Sequence, residues 1–166
     1  MTAQGDPATA LFPRAGSGEL AQDIESVAVS GGDVGIDPLW ARPGILRRIA
    51  ARIAETLPAG VDRVVGDEED LALITAVSLH SGVPCAVVDR DLKLRGELYP
   101  TETVLAVRMC STAGRSSAIK VVLHRRVQVT KLVTAVEIEP PADLPSGIDH
   151  CALFRVRGGR LYQGDE

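Results

Sequence analysis

Val104-Leu105-Ala106-Val107-Arg108-Met109-Cys110-Ser111-Thr112-Ala113-Gly114-Arg115-Ser116 is the stretch that decides the fold. Thr103 to Val107 is a short, mostly apolar run and reads as a buried strand. Ser111 to Ser117 consists mainly of small residues and reads as a loop. Ser117 to Arg125 then places Ile119, Val122 and Leu123 at helical spacing, so a helix follows the loop. Gln128 to Ile138 is a long β-branched run, which supplies the next buried strand.

The same alternation continues outward. Upstream, Pro43 opens a helix at the first-turn position that proline tolerates. Ile45, Leu46, Ile49, Ile53 and Leu57 recur at helical spacing, and Pro58 and Gly60 end the element. Arg63 to Val65 is a short run ending at Gly66. The acidic patch Asp67, Glu68, Glu69 and Asp70 follows, then a second helix over Leu71 to His80, stopped by Gly82. Pro84 to Val88 is a strand. Downstream, Pro140 to Ser146 is a loop and Cys151 to Val156 a last strand. Glu19 to Val29 is a helix or a strand. Ser30 to Pro38, with three glycines and a proline, is a turn-rich connection or irregular hairpin. Residues 1–18 and 157–166 read as tails around one domain over 19–156.

Strands alternating with helices predict a parallel α/β sheet flanked by helices. Ligands of such sheets bind beyond the carboxyl ends of the strands, so the loops after Val65, Val88 and Val107 are the places to look. Composition agrees: 166 residues suffice for one core, and aromatics at 3% leave that core to Val, Leu, Ile and Ala. A net charge of −4 argues against a general nucleic-acid binder. Cys85, Cys110 and Cys151 have neither zinc nor redox spacing and read as buried free thiols. No apolar run approaches the ~20 residues of a membrane span. Met1 to Ala15 lacks the pattern of a secretory signal, so a cytoplasmic protein is expected.

The segment 104–116 resembles the phosphoribosyl-diphosphate motif of type I phosphoribosyltransferases. That motif runs as apolar residues, two acids, two apolar residues, then Thr-Thr-Gly-Gly-Ser/Thr. Ala41-Arg42-Pro43-Gly44-Ile45-Leu46 is similar to a helix opening of orotate phosphoribosyltransferases, Leu79 to Val88 to the strand before their mobile catalytic loop, and Gly147 to Phe154 to their last strand. The likeness covers residues 30–156. It implies a phosphoribosyltransferase-like sheet with a small N-terminal hood-like segment, a homodimer, and a phosphorylated small molecule as ligand. Magnesium is implied only if phosphoribosyl diphosphate is bound.

The departures concern chemistry. In the family, two carboxylates at the strand end receive the ribose hydroxyls; here those degenerate acidic-dyad positions hold Arg108 and Met109. Arginine carries donors only, so it cannot accept a hydroxyl proton. The resemblance implies a phosphate-binding loop over Ser111, Thr112, Ala113, Gly114, Arg115 and Ser116. The same residues could equally be capping a helix. The family's pyrophosphate loop corresponds to Gly66 to Asp70, whose four carboxylates would repel a polyanion. The mobile loop, Arg-Lys-Glu-x-Lys-x-His-Gly in the family, corresponds to Asp89 to Glu97. Arg90 and Lys93 are its catalytic candidates if the chain is active, although a charged, solvated hairpin is the alternative. Pro38 stands for a family lysine, and Glu137 to Pro141 lacks a family arginine.

His80, His124 and His150 have no metal-ligand spacing, so no metal site is expected. Asp149-His150-Cys151 reads as packing, and Trp40 as an anchor against the core or a partner. Two functions follow: a non-transferring nucleotide-, phosphate- or protein-binding module in regulation or assembly, or a phosphoribosyltransferase-type enzyme with an altered donor or acceptor.

Overall fold

A computed structural model describes residues 17–30, 33–111, 117–142 and 144–164. Its elements run α1 (Ser17–Ala28), β1 (Val29–Ser30), β2 (Asp33–Val34), α2 (Asp37–Ala41) and α3 (Pro43–Glu55). Next come β3 (Arg63–Asp67), a 3-10 turn (Glu68–Asp70), α4 (Leu71–Ser81), β4 (Cys85–Val88) and β5 (Leu94–Arg95). The chain continues through β6 (Thr103–Ser111), α5 (Ser117–Leu123), β7 (Gln128–Glu137), β8 (Asp149–Arg157) and β9 (Arg160–Gln163). β1 and β2 form a two-stranded antiparallel ribbon.

The other seven strands form one sheet in the order β5-β4-β3-β6-β7-β8-β9. β4, β3, β6, β7 and β8 are parallel, while β5 and β9 join antiparallel at the two edges. The α/β sheet flanked by helices is therefore present, with the nine-residue β6 near its centre. One face packs on α1, α3 and α4 through Leu20, Ile24, Ile49, Ile53, Leu73 and Ile74, against Leu105, Val107 and Val133. The other packs on α5 through Ala118, Ile119 and Val122, against Val65, Ala106 and Leu132. Strands covered on both faces need apolar residues on both sides, which explains the unbroken runs of β3, β6 and β7.

Gly66 permits the close approach of α4: an added Cβ would meet Ile74 Cδ1 at 2.5 Å and the Val107 carbonyl at 2.7 Å. Gly82 closes α4 in the left-handed region, φ 74°, where a side chain is disfavoured.

Several local expectations change. The first helix spans Ser17–Ala28, which settles the helix-or-strand choice. β6 runs on through Arg108, Met109 and Cys110 to Ser111 rather than stopping at Val107, because it pairs with β7 as far as Ser111 and Glu137. The stretch after Arg157 is not a featureless tail. Gly158 and Gly159 both take positive φ, 56° and 73°, the geometry of a two-residue hairpin turn, and return the chain as β9. Trp40 is 47% exposed, its indole N–H donating to Asp37 Oδ1 at 3.3 Å, so it does not anchor the core. Cys151 is buried, whereas Cys85 and Cys110 are half-buried; all three are free. No helix among the described residues is long and apolar enough to cross a membrane.

Candidate functional site

Because β3, β4 and β6 are parallel, their carboxyl ends share one edge of the sheet. A cleft of about 170 Å³ opens there between the acidic turn, the β4–β5 hairpin and the start of α5. Its charged lining consists of Asp67, Glu68, Glu69, Asp70 and Asp89 against Arg90 and Arg108. Carboxylates outnumber guanidiniums, so the cleft repels polyanions unless those cations dominate locally.

Three of the acids accept main-chain N–H groups, Asp89 within its own turn and two others between separate elements. Asp70 Oδ1 accepts the Met109 N–H at 2.8 Å, and Asp67 Oδ1 accepts the Ala118 N–H at 2.9 Å. Asp67 thus ties the end of β3 to the first turn of α5, and Asp70 ties the acidic turn to the end of β6. Such charge-assisted bonds are among the stronger ones a fold can make. Burial pushes the Asp70 carboxyl up to about 6, with the Met109 N–H and the Arg108 charge opposing, and Asp67 and Glu69 reinforcing.

The two positions that the resemblance aligns with an acidic pair diverge. Arg108 lines the cleft, whereas Met109 is buried in the core beneath α1, α3 and α4. Burial pushes the neighbouring Cys110 thiol up to about 11, which keeps it protonated and unsuited to nucleophilic work.

The sequence-predicted residues are only partly brought together. Arg90 is on the cleft rim, its side chain 81% exposed, with Nε 4.0 Å from Glu68 Oε2. Lys93 is exposed, and its N–H donates to Asp89 Oδ1 at 2.9 Å. Asp89 also accepts from Asp91 N–H at 3.0 Å and from Arg95 Nε at 2.8 Å. The Lys93 N–H, followed by the Arg95 guanidinium, holds this carboxyl below its ordinary value. One carboxylate therefore closes the segment into a tight turn capped by the short pair of β4 and β5. Ser111 is buried and its hydroxyl donates to the Glu139 carbonyl at 2.7 Å. Thr112, Ala113, Gly114, Arg115 and Ser116 lie outside the described residues.

In the sequence Asp67 and Asp70 read as repelling a polyanion or as a solvated acidic helix start, and neither reading includes the amide bonds they make. Nor does the sequence reveal a polar group between β7 and β8. His150 Nε2 is 3.1 Å from Thr134 Oγ1, His150 Nδ1 is 3.4 Å from Glu137 Oε2, and Arg155 Nε is 3.1 Å from Glu137 Oε1. Burial holds His150 below its ordinary value; the Glu137 charge opposes this, and Arg155 and Arg108 reinforce it. The partners assign the proton of the neutral ring to Nδ1, with Nε2 accepting from Thr134. Hydroxyl, imidazole and carboxylate stand in the order of a nucleophile triad, yet Thr134 has no solvent exposure. Of Asp149-His150-Cys151, only His150 joins this group; it is half-buried, Cys151 is buried and Asp149 is exposed. Among the described residues, no three of His, Cys, Asp and Glu are arranged to hold a metal ion.

A mostly parallel α/β sheet with a cleft at the carboxyl ends of β3, β4 and β6 is the arrangement in which such folds bind their ligands. More particularly, the fold is that of type I phosphoribosyltransferases, orotate phosphoribosyltransferase among them. No family model and no curated protein matches the chain. It is similar to orotate phosphoribosyltransferase of Mycobacterium tuberculosis H37Rv in complex with inorganic phosphate, with TM-score 0.73 and 19% identity. That match covers 92% of this chain and 95% of the other. Leishmania donovani UMP synthase is similar at TM-score 0.68 and 20% identity; 89% of this chain is covered but only 38% of that protein. Adenine phosphoribosyltransferase from Rhodothermus marinus gives TM-score 0.65 and 16% identity, covering 82% and 99%.

Proposed function

We propose that this is a phosphoribosyltransferase-fold protein without ordinary phosphoribosyl transfer, working as a regulatory or assembly module that binds a protein partner or a phosphorylated small molecule. The observation that carries the reading is the end of β6. Arg108 enters the cleft and Met109 the core, at the two positions where the family resemblance expects acceptors for sugar hydroxyls. A guanidinium and a thioether are also poor company for magnesium, a hard cation that takes oxygen ligands. Asp70 does not replace them simply, since burial makes it prefer its proton up to about 6 and one oxygen already serves Met109.

Within this reading the acid-rich cleft favours a protein partner over a diphosphate. A phosphorylated ligand is supported by Thr112, Gly114 and Ser116, which keep their motif places, and by the phosphoribosyl diphosphate complex of the Mycobacterium tuberculosis relative. Self-association into a homodimer is supported by α4, whose 11 residues include no Asp, Glu, Lys or Arg and leave Leu71 and Leu79 exposed. Calorimetric titration with phosphoribosyl diphosphate and with nucleotides, with and without magnesium, tests the ligand part. Heat from a nucleotide alone supports a sensing role, silence throughout leaves the partner-binding role, and tight magnesium-dependent donor binding contradicts the proposal. Light scattering tests the dimer, and a monomer at micromolar concentration contradicts it.

A second reading, an enzyme with an altered donor or acceptor, is favoured by one observation: Asp70 brings a carboxylate from the acidic turn to the end of β6, and Asp67 brings another from the end of β3 to the first turn of α5. Arg90 and Lys93 would then be its catalytic residues. Turnover in a screen of bases and phosphosugars, lost in Asp70→Asn and altered in Arg108→Ala, supports this reading. Absence of turnover with every donor removes it.

A further inference from the structure

We propose that a second cavity, at the opposite edge of the sheet from the acidic cleft, binds a small organic anion with an apolar body. The cavity measures about 400 Å³ and lies between the last turn of α3 and the first residues of β7 and β8. Small-molecule sites commonly occupy ~300–1,000 Å³. Its floor is Cys151, Ala152 and Leu153, all buried, and Gly164 forms one wall, pinned by its N–H to the Leu153 carbonyl at 2.8 Å.

The polar element is Lys131, and a backbone irregularity puts it there. β6 and β7 pair as Val104 with Val129 and then Leu105 with Lys131, so Thr130 is an extra residue at a bulge. Bulges re-aim the side chains that follow them. This one brings Lys131 into register with Leu105, a member of the core beneath α1, α3 and α4, two residues before the buried Val133. An ammonium on an apolar face of an interior strand is costly unless it meets a counter-charge.

Among the described residues no carboxylate sits within ion-pair distance of Lys131, 4.0 Å, although Asp149 is its cross-strand neighbour. Arg52 adds a second cation to the lining and Glu55 one carboxylate, 3.8 Å apart, so the lining carries one net positive charge. An apolar floor beneath a half-buried lysine that pairs with no carboxylate among the described residues suits a carboxylate, sulfonate or similar monoanion joined to a ring-sized hydrocarbon. The site does not depend on any reading of the cleft, which opens at the other ends of the strands.

The test is an NMR amide-shift titration of the full chain with benzoate, and with benzamide as the neutral probe of the same shape. Benzoate is expected to shift residues 131, 151–153 and 164 saturably and to bind at least about fivefold more tightly than benzamide, the effect of one partly screened charge contact. Lys131→Met should equalise the two probes while leaving the rest of the spectrum in place, and Cys151→Phe should fill the floor and remove both. Absence of saturable shifts, equal binding of the probes by the unaltered protein, or an anion preference that survives Lys131→Met overturns the proposal. If Cys151→Phe fails to fold, the Lys131→Met comparison decides alone.

Discussion

The two ends of β6 and its neighbours meet very different surroundings. At the amino end, Arg63 Nε and Nη2 reach Glu102 at 3.1 and 2.8 Å, and Glu102 also accepts the Tyr99 N–H at 2.9 Å. Asp62 accepts the Thr103 N–H at 2.8 Å, and the Arg63 guanidinium is 5.8 Å from the Tyr99 ring centroid. Opposite charges meet there, with little solvent between them. At the carboxyl end, like charges crowd instead, and three of the carboxylates are held by main-chain N–H groups. The base is fastened by complementary charge, whereas the mouth is fastened by acids where the resemblance leads one to expect an anion-binding surface. A sheet can keep its frame while the chemistry at one edge is rewritten, because packing beneath the helices fixes the strands independently of what their ends carry.

Breaking the base is expected to have the largest effect. Glu102→Ala strands a buried guanidinium and leaves the Tyr99 N–H without its acceptor, for a loss of about 3 kcal/mol in urea unfolding. A loss below about 0.5 kcal/mol would mean that the base is no better fastened than an ordinary surface.

The mouth should respond in the opposite sense. Asp70 has a carboxyl raised from 3.8 to about 6 by burial, so the folded state holds its proton more tightly than the unfolded chain. That contribution is full below pH 3.8 and is lost as pH rises through about 6. Asp70→Asn, which keeps an acceptor for Met109, should be more stable than the unaltered protein by ~2 kcal/mol at pH 8, a gap that closes toward pH 4. His150 works the other way: its lowered value gives stability above 6.5 that is lost as pH falls. The Asp70→Asn protein should therefore lose stability on mild acidification more steeply than the unaltered protein. A constant gap at all pH values would contradict the buried, proton-seeking Asp70.

Smaller effects refine the contrast. Asp67→Ala leaves the Ala118 N–H without its acceptor and should cost about 1 kcal/mol, as lost helix caps do; no change would show that this bond does not fasten α5. Arg90→Ala removes a side chain that is 81% exposed with a partner at 4.0 Å. It should change stability by less than about 0.5 kcal/mol. A larger loss would show that the hairpin closes onto the acidic turn.

Much of the frame is legible in the sequence because it rests on local rules. Pro43 opens α3, Gly82 stops α4, and the apolar runs at β3, β6 and β7 declare strands covered on both faces. The motif frame around 104–116 also points to the fold, although only its strand and Ser111 fall among the described residues. What escapes reading is tertiary. The amides that Asp67 and Asp70 serve lie 51 and 39 residues away, so no spacing rule distinguishes a capping carboxylate from a solvated one. The Thr130 bulge is invisible for the same reason, since it exists only relative to β6. β9 is different: Gly158-Gly159 is a hairpin signal, hidden because the polar edge strand after it, Arg160–Gln163, lacks the apolar alternation of a half-buried one.

The most direct test mixes the pure protein with orotate, phosphoribosyl diphosphate and magnesium and follows pyrophosphate release against a no-enzyme control. The account predicts a rate indistinguishable from the control at micromolar protein, with Arg108 in the cleft and Met109 in the core. Sustained magnesium-dependent turnover that disappears in Asp70→Asn would contradict it and give the mouth of the sheet back to catalysis.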